Sequence, residues 1–304
     1  MLQAPDRKLR LYIPGNLSSS LKKFTNFHYE ESDVENCHAI LHNETITRNP
    51  SSSLPIEFVK YHTEKIQLLY KLNRISARYA GLNKKVIVLV AYDYEHRYPG
   101  FDNLIVLRFS MRSSGKQGNE FLVPFLFSCR VQPFPQSSET SIPHIGFCGW
   151  SKRRMGILTA FENSTEVHSV FVKRKHFWGG SRHDQELRNA FYNNMRDTQF
   201  NICQRGVGNY SMRFYQTLAT GRIPVLVNTD LEFPFASEIH WRDFIVLENS
   251  EQACVDKVVE CHRQGKVAEM QLKCGEVFHK YLSPRNFFAH LTEHLIPLLG
   301  CSDS

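Results

Sequence analysis

Residues Arg205–Val227 read RGVGNYSMRFYQTLATGRIPVLV, and the fold follows from how this stretch is read. It continues an apolar run, FNICQ (200–204), and ends in a second one, IPVLV (223–227). Between them stand a glycine-bearing turn, a serine where a helix cap belongs, and a segment of helical spacing that stops at Gly221. Strand, tight turn, helix, strand is the repeating unit of a parallel sheet. In such a sheet ligands gather at the carboxyl ends of the strands, beside the N-termini of the helices that follow. Gly206 and Gly208 allow a tight turn and a close approach of backbone to ligand. Ser211 can cap the helix. The helix dipole and its free N–H groups favour an anion by about 0.3–2 kcal/mol. Arg213 and Gln216, three apart, share one face, while Tyr215, Leu218 and Ala219 can bury another. This chemistry suits a phosphate attached to a hydroxyl-bearing group. It equally describes a plain strand-to-helix turn with a surface arginine.

The alternation extends outward. HIGFCGW (144–150), VHSVFVKR (167–174) and FIVLEN (244–249) read as further strands; RRMGILTAFEN, DQELRNAFYNNMRD and QACVDKVVECHRQG read as the helices between them. The last stops at Gly265, a C′ glycine. Strands alternating with helices predict a parallel sheet covered on both faces. The first half is less regular: LRLYIP, KKVIVLVAYDYE, NLIVLRFS and EFLVPFLF read as strands and VKYHTEKIQLLYKLNRI as a helix. VQPFPQSSETSIP (131–143), with three prolines and four Ser or Thr residues, reads as a linker. The expected division is therefore 1–138, 139–285 and a C-terminal amphipathic helix within 286–304 that either packs locally, crosses back to the first domain or docks on a membrane.

Composition narrows the class. Hydrophobic content of 42% with 22% charged residues is that of a soluble globular chain. No run reaches the roughly 18 apolar residues of a membrane span, and the first residues lack the apolar core of a signal peptide. The expectation is a cytoplasmic protein, with peripheral contact at the inner face of a membrane as an option. Eight scattered cysteines without a C-x-x-C pair suggest reduced thiols rather than disulfides or zinc, with Cys148 and Cys203 buried. The sequons at Asn16, Asn43, Asn163 and Asn209 are then chance matches. A net charge of +7 permits a polyanion, but lysine and arginine are dispersed and no nucleic-acid-binding motif appears, so no nucleic-acid partner is expected.

RGVGNYSMRFYQTLATGRIPVLVNTD resembles the signature of the exostosin-like glycosyltransferases, in which Arg205, Gly206, Ser211, Arg213, Gly221, Ile223, Pro224 and Val225 all match. HIGFCGW, FVKRKHFWGG, FYNNMRDTQFNICQRG and DFIVLEN are similar to flanking segments of small bacterial members, and VAYDYEHRYPGFDNLIVLRFSM to their N-terminal acidic loop. The resemblance covers about residues 85–265. It implies a GT-B-type α/β enzyme: two Rossmann-like domains facing across a cleft, the C-terminal one for a nucleotide-sugar, usually UDP-linked, and the N-terminal one for a saccharide or lipid-linked saccharide acceptor. It further implies inversion at the anomeric carbon, no bound metal or other cofactor, and a place in polysaccharide or cell-surface glycan synthesis. The chain departs from the family once: Gln216 stands where the motif has a glutamate expected to accept hydrogen bonds from both ribose hydroxyls. That change leaves room for a non-catalytic nucleotide-sugar sensor.

An inverting transfer needs a base for the acceptor hydroxyl and stabilisation of the departing diphosphate. Asp93, at the end of VIVLVAY, is the expected base, with Glu95 as its substitute. Arg205 and Arg213 with Gly206, Gly208, Ser211 and Gln216 form the expected donor site. Arg153 or Lys152 of SKRR and Arg174 of KRKHFWGG are placed at the same sheet edge, where Phe177 and Trp178 pack; His144 and His176 are weaker candidates for a base.

Overall fold

The computed structural model describes residues 9–16, 29–47, 57–91, 93, 95, 100–124, 132–175 and 183–300. His176, Phe177 and Trp178 lie outside them, as does the end of EFLVPFLF. Contacts divide the chain into two compact units, Met1–Val123 with Pro284–Ser304, and Pro124–Ser283.

Unit 1 is a parallel sheet of six strands: β1 (Leu9–Tyr12), β2 (Tyr29–Glu31), β3 (Ala39–Thr47), β4 (Lys85–Ala91), β5 (Leu104–Arg108) and β6 (Glu120–Leu122), in the order β2-β1-β3-β4-β5-β6. KVIVLVA forms β4 because an uninterrupted β-branched run suits a strand buried on both faces. Val86, Val88 and Val90 point to one face, where Leu68, Leu72 and Ile75 of helix α1 (Glu57–Tyr79) cover them. Strand β3 was not legible in the sequence: its register against β4 shifts between Leu41 and Thr45, where the polar residues His42, Asn43 and Glu44 break the apolar run.

Unit 2 is a five-stranded parallel sheet of β7 (His144–Trp150), β8 (His168–Arg174), β9 (Phe200–Ile202), β10 (Ile223–Val227) and β11 (Val246–Glu248), in the order β11-β10-β9-β7-β8. Its helices are α2 (Met155–Glu162), α3 (Gln185–Arg196), α4 (Met212–Ala219), α5 (Glu251–Arg263) and α6 (Val267–Val277). Helix α3 is capped by Asp184 and α5 by Ser250, whose side chains accept first-turn N–H groups. Helix α4 ends at Gly221 (φ +68°), and the chain turns directly into β10. Helix α7 (Pro284–Leu295) is grouped with unit 1.

The break between the units falls at Val123/Pro124, upstream of the boundary expected at 138/139. The stretch read as a linker is docked on unit 2. Phe134 N–H donates to Thr220 O (3.2 Å), and the Arg222 guanidinium donates to Pro135 O (3.0 Å) and Arg196 O (2.9 Å). Gln271 exchanges hydrogen bonds with the Ser137 hydroxyl (2.8 Å) and N–H (3.3 Å). Polar residues that look like linker composition are here partners for Gln271 and Arg222, which are buried and need them.

Candidate functional site

Two strands of unit 2 part company. β7 stays paired with β8 out to Trp150↔Arg174, and β9 with β10 out to Ile202↔Val225. Between β7 and β9 the ladder holds only at Ile145↔Phe200 and Gly146↔Asn201. This fork is also the topological switch point, since the chain lays β8 on one side of β7 and then β9, β10 and β11 on the other. A crevice at the carboxyl ends of the strands is expected at such a point.

Two arginines fill the fork. Arg213, in the first turn of α4, donates from Nη1 to Ile202 O (3.2 Å) and from Nη2 to Cys148 O. Arg154, in the 3-10 turn Lys152–Arg154 after β7, donates from Nη1 to Trp150 O (2.7 Å) and from Nε to Gln204 O (2.9 Å). Arg213 stands over the Phe147 ring at 4.3 Å and over Phe191 of α3 at 5.2 Å; Arg154 lies 5.8 Å from the same Phe147 ring. Gly149 makes this possible. Its φ is +154°, and a Cβ there would stand 2.7 Å from Arg213 Nη2.

No carboxylate pairs with either guanidinium among the described residues. Burial, and then the neighbouring charge of Arg154, lower Arg213 to about 10; burial lowers Arg154 as well. Both stay protonated at neutral pH, so among the described residues the fork holds two cations with no counter-ion, an attraction for an anion. The thiols beside them are inert: burial pushes Cys203 up to about 11 and raises Cys148.

The loop from β9 to α4 is fixed by Asn209, which is fully buried. Its Oδ1 accepts from Arg205 Nη1 (3.1 Å) and from the Thr229 hydroxyl (2.6 Å), while its Nδ2 donates to Thr229 O (3.2 Å). The sequon at Asn209 is thereby closed to a modifying enzyme. Arg205 also donates to Val207 O (3.0 Å), so it braces its own loop. Ser211 occupies the cap position of α4, but its hydroxyl makes no capping bond. Phe214 N–H is instead taken by the Ser211 carbonyl (3.0 Å), which leaves the hydroxyl lining a recess. That recess, about 310 Å³ counted out to open solvent, is walled by Arg205, Tyr210, Phe214, Tyr215, Val227 and Thr229 among others. It lies beside the N-terminus of α4 and offers aromatic walls with a hydroxyl and a cation, a chemistry suited to a planar ring carrying polar substituents.

The remaining expected residues divide. Gly206 lies against the fork, where a Cβ would be 3.3 Å from Arg154 Nη2, and Gly208 is buried in the same loop. Arg174, at the end of β8, is tied to Leu187 O of α3 (2.8 Å) and hydrogen-bonds the Cys148 thiol. Gln216 is buried in α4 with 6% exposure. Arg153 and Lys152 are exposed; of the SKRR run it is Arg154 that turns to the strand ends. His144 opens β7 and packs at a tilt against His168 (ring centres 4.6 Å apart), so it lies at the opposite end of the sheet from the fork. In unit 1, Asp93 is exposed and its carbonyl accepts from the Ser110 hydroxyl (3.0 Å), whereas the Glu95 carboxylate is ion-paired with Arg112. Sequence reasoning missed Arg154, Phe147 and Phe191. Only the position of Arg154, closing the turn after a strand, could have marked it.

The whole chain has no match among curated protein sequences. Among solved structures it is similar to TarM (11% identity, TM-score 0.43) and to an S. aureus TarM point mutant in complex with Fondaparinux, alpha-GlcNAc-glycerol and UDP (11%, 0.40). Each alignment covers 72% of this chain, which spans about half (51%) of the TarM length. A protein from Listeria monocytogenes assigned as a UDP-N-acetylglucosamine 2-epimerase aligns over 97% of this chain and 98% of its own (9%, 0.40). Residues 150–254 match the family model of the Exostosin GT47 domain. The matched segment runs from the end of β7 into α5 and contains both fork arginines, the loop and α4, so the similarity to the Exostosin GT47 domain lies wholly within unit 2.

Proposed function

We propose that this chain is an inverting, metal-independent glycosyltransferase that uses a UDP-linked sugar and a saccharide or lipid-linked saccharide acceptor. One observation carries the reading: two half-buried guanidinium groups, with no carboxylate paired to them among the described residues, at a sheet switch point inside the residues that match the exostosin domain. Breaking the bond between the anomeric carbon and the phosphate oxygen leaves a nucleoside diphosphate whose negative charge grows in the transition state. Fixed cations and a helix N-terminus at that place stabilise it. Inversion requires the acceptor oxygen to attack the opposite face of the anomeric carbon as its proton passes to a carboxylate. Asp93 is the proposed base, with Glu95, which is ion-paired with Arg112, as its substitute. GT-B-type facing of the two units, cytoplasmic residence, peripheral membrane contact and a role in cell-surface glycan synthesis belong to the same proposal. No helix among the described residues is long and apolar enough to cross a membrane.

Thermal unfolding with UDP, GDP, CMP and ADP tests the donor. A nucleotide at about 100 times its Kd adds roughly 2.7 kcal/mol of stability, and UDP is expected to give the largest shift. Failure of every nucleotide to shift the transition overturns the proposal. UDP binding without turnover of any UDP-sugar favours the non-catalytic sensor, the role that Gln216 permits.

A further inference from the structure

The two fork arginines are spaced as rungs. Arg213 bridges Cys148 O of β7 to Ile202 O of β9; Arg154 bridges Trp150 O to Gln204 O, two residues further along both strands. Carbonyls two apart on a strand point the same way, so each guanidinium stands where the next hydrogen bonds of the β7–β9 ladder would have formed. A guanidinium is wider than a direct N–H···O contact, and its planar donor set fits two carbonyls at once. The fork is therefore held at a set width by side chains. Arg154 spends Nε and Nη1 on this bridge; its Nη2 makes no hydrogen bond among the described residues and lies beside Gly206, at the mouth of the α4 loop.

We propose that Arg154 is a positioning residue of the donor site: with Arg213 it sets the width of the β7/β9 fork and offers its Nη2 edge to the donor's diphosphate. The proposal rests on the nucleotide-sugar reading above. The anion that enters the fork relieves the repulsion between the two guanidiniums, so its binding and the geometry of the fork are coupled. Lysine can supply the charge at this position but not the two-carbonyl bridge.

The test compares Arg154→Met and Arg154→Lys with the wild type in three readouts: the UDP Kd by calorimetry, the thermal shift produced by inorganic pyrophosphate, and kcat and KM for a UDP-sugar. In Arg154→Met the UDP Kd is expected to rise about tenfold or more, and the pyrophosphate shift to vanish. In Arg154→Lys the Kd is expected to recover less than halfway on a logarithmic scale, with kcat reduced more than KM is raised. A merely structural role would lower the ligand-free transition and leave the pyrophosphate increment at its wild-type size; that result, or an unchanged UDP Kd, overturns the proposal. Should Arg154→Met fail to fold, Arg154→Lys decides by the same criteria. A wild type that responds to pyrophosphate through Arg154 but to no nucleotide sinks the donor reading and keeps the fork. A wild type that responds to neither sinks both.

Discussion

The guanidinium groups of Arg154 and Arg213 lie 5.8 and 4.3 Å from the centre of one ring, that of Phe147, and neither is paired with a carboxylate among the described residues. Two like charges gathered around one ring cost the ligand-free protein stability, and an anion placed beside them returns it. The motif arginine thus has two duties, as a strut between strands and as a cation for the ligand.

Arg213→Ala removes both. The sequence places this side chain toward a cleft, from which stability should change little. The structure ties it to two strand carbonyls and two rings, so a loss of about 1.5–3 kcal/mol is expected by urea unfolding, the usual size for hydrogen bonds to a charged group. Transfer is expected to fall by roughly 10²–10³ in kcat/KM. Wild-type stability in this variant would show that the strand contacts are incidental.

The base is tested by two substitutions in unit 1. Asp93→Asn is expected to lower transfer by roughly 10² or more while UDP affinity is retained. Glu95→Gln breaks the pair with Arg112, which is half exposed, so a stability change of at most about 1 kcal/mol is expected, with transfer little affected. The reverse ranking in an initial-rate assay would move the base two residues along the loop.

Gln216→Glu restores the carboxylate of the family motif in a position only 6% exposed. Burying that charge is expected to cost the ligand-free protein about 1–3 kcal/mol. UDP is expected to bind a few-fold to about tenfold more tightly, because a charged acceptor makes the stronger hydrogen bonds, and 2′-deoxy-UDP to gain less. Calorimetry that shows equal gains for both ligands would take residue 216 off the ribose.

Acid is expected to destabilise the protein through His38, His42 and His144, all lowered chiefly by burial, and the last two carry the test. Burial lowers His42, and burial with the charges of His168 and His262 lowers His144, both from an ordinary value of 6.5. A histidine lowered in the folded state binds its proton more readily when unfolded. Its contribution is complete above about pH 6.5 and is lost as the pH falls through the depressed values. The urea midpoint should therefore drop between about pH 7.5 and pH 5. His42→Gln and His144→Gln should each flatten that slope, and an unchanged slope in both would assign the acid loss to other groups.

Much of this protein was written locally. The apolar runs of β4, β7 and β10 are contiguous, and the helices α3, α4 and α5 carry their stops and caps within a few residues of their ends, Gly221 and Gly265 each taking the left-handed conformation. Periodicity and capping are short-range effects, so a single sequence displays them. The spacing of the loop and α4 was readable for the same reason.

What only the tertiary structure decided was where each long polar side chain ends. Lys152, Arg153 and Arg154 are equivalent in the sequence, yet Arg154 alone reaches Trp150 O and Gln204 O, since it alone faces the place where β7 and β9 separate. Arg213, expected to point at a ligand, is half strut. Ser211 holds the cap position without capping, and the proline-rich stretch near residue 135 is clamped by Arg222. A guanidinium spans several ångströms and takes whichever carbonyls the sheet leaves unpaired. Which carbonyls those are is set by strand order and by the point at which two ladders diverge, and both arise only when segments distant in sequence are laid side by side.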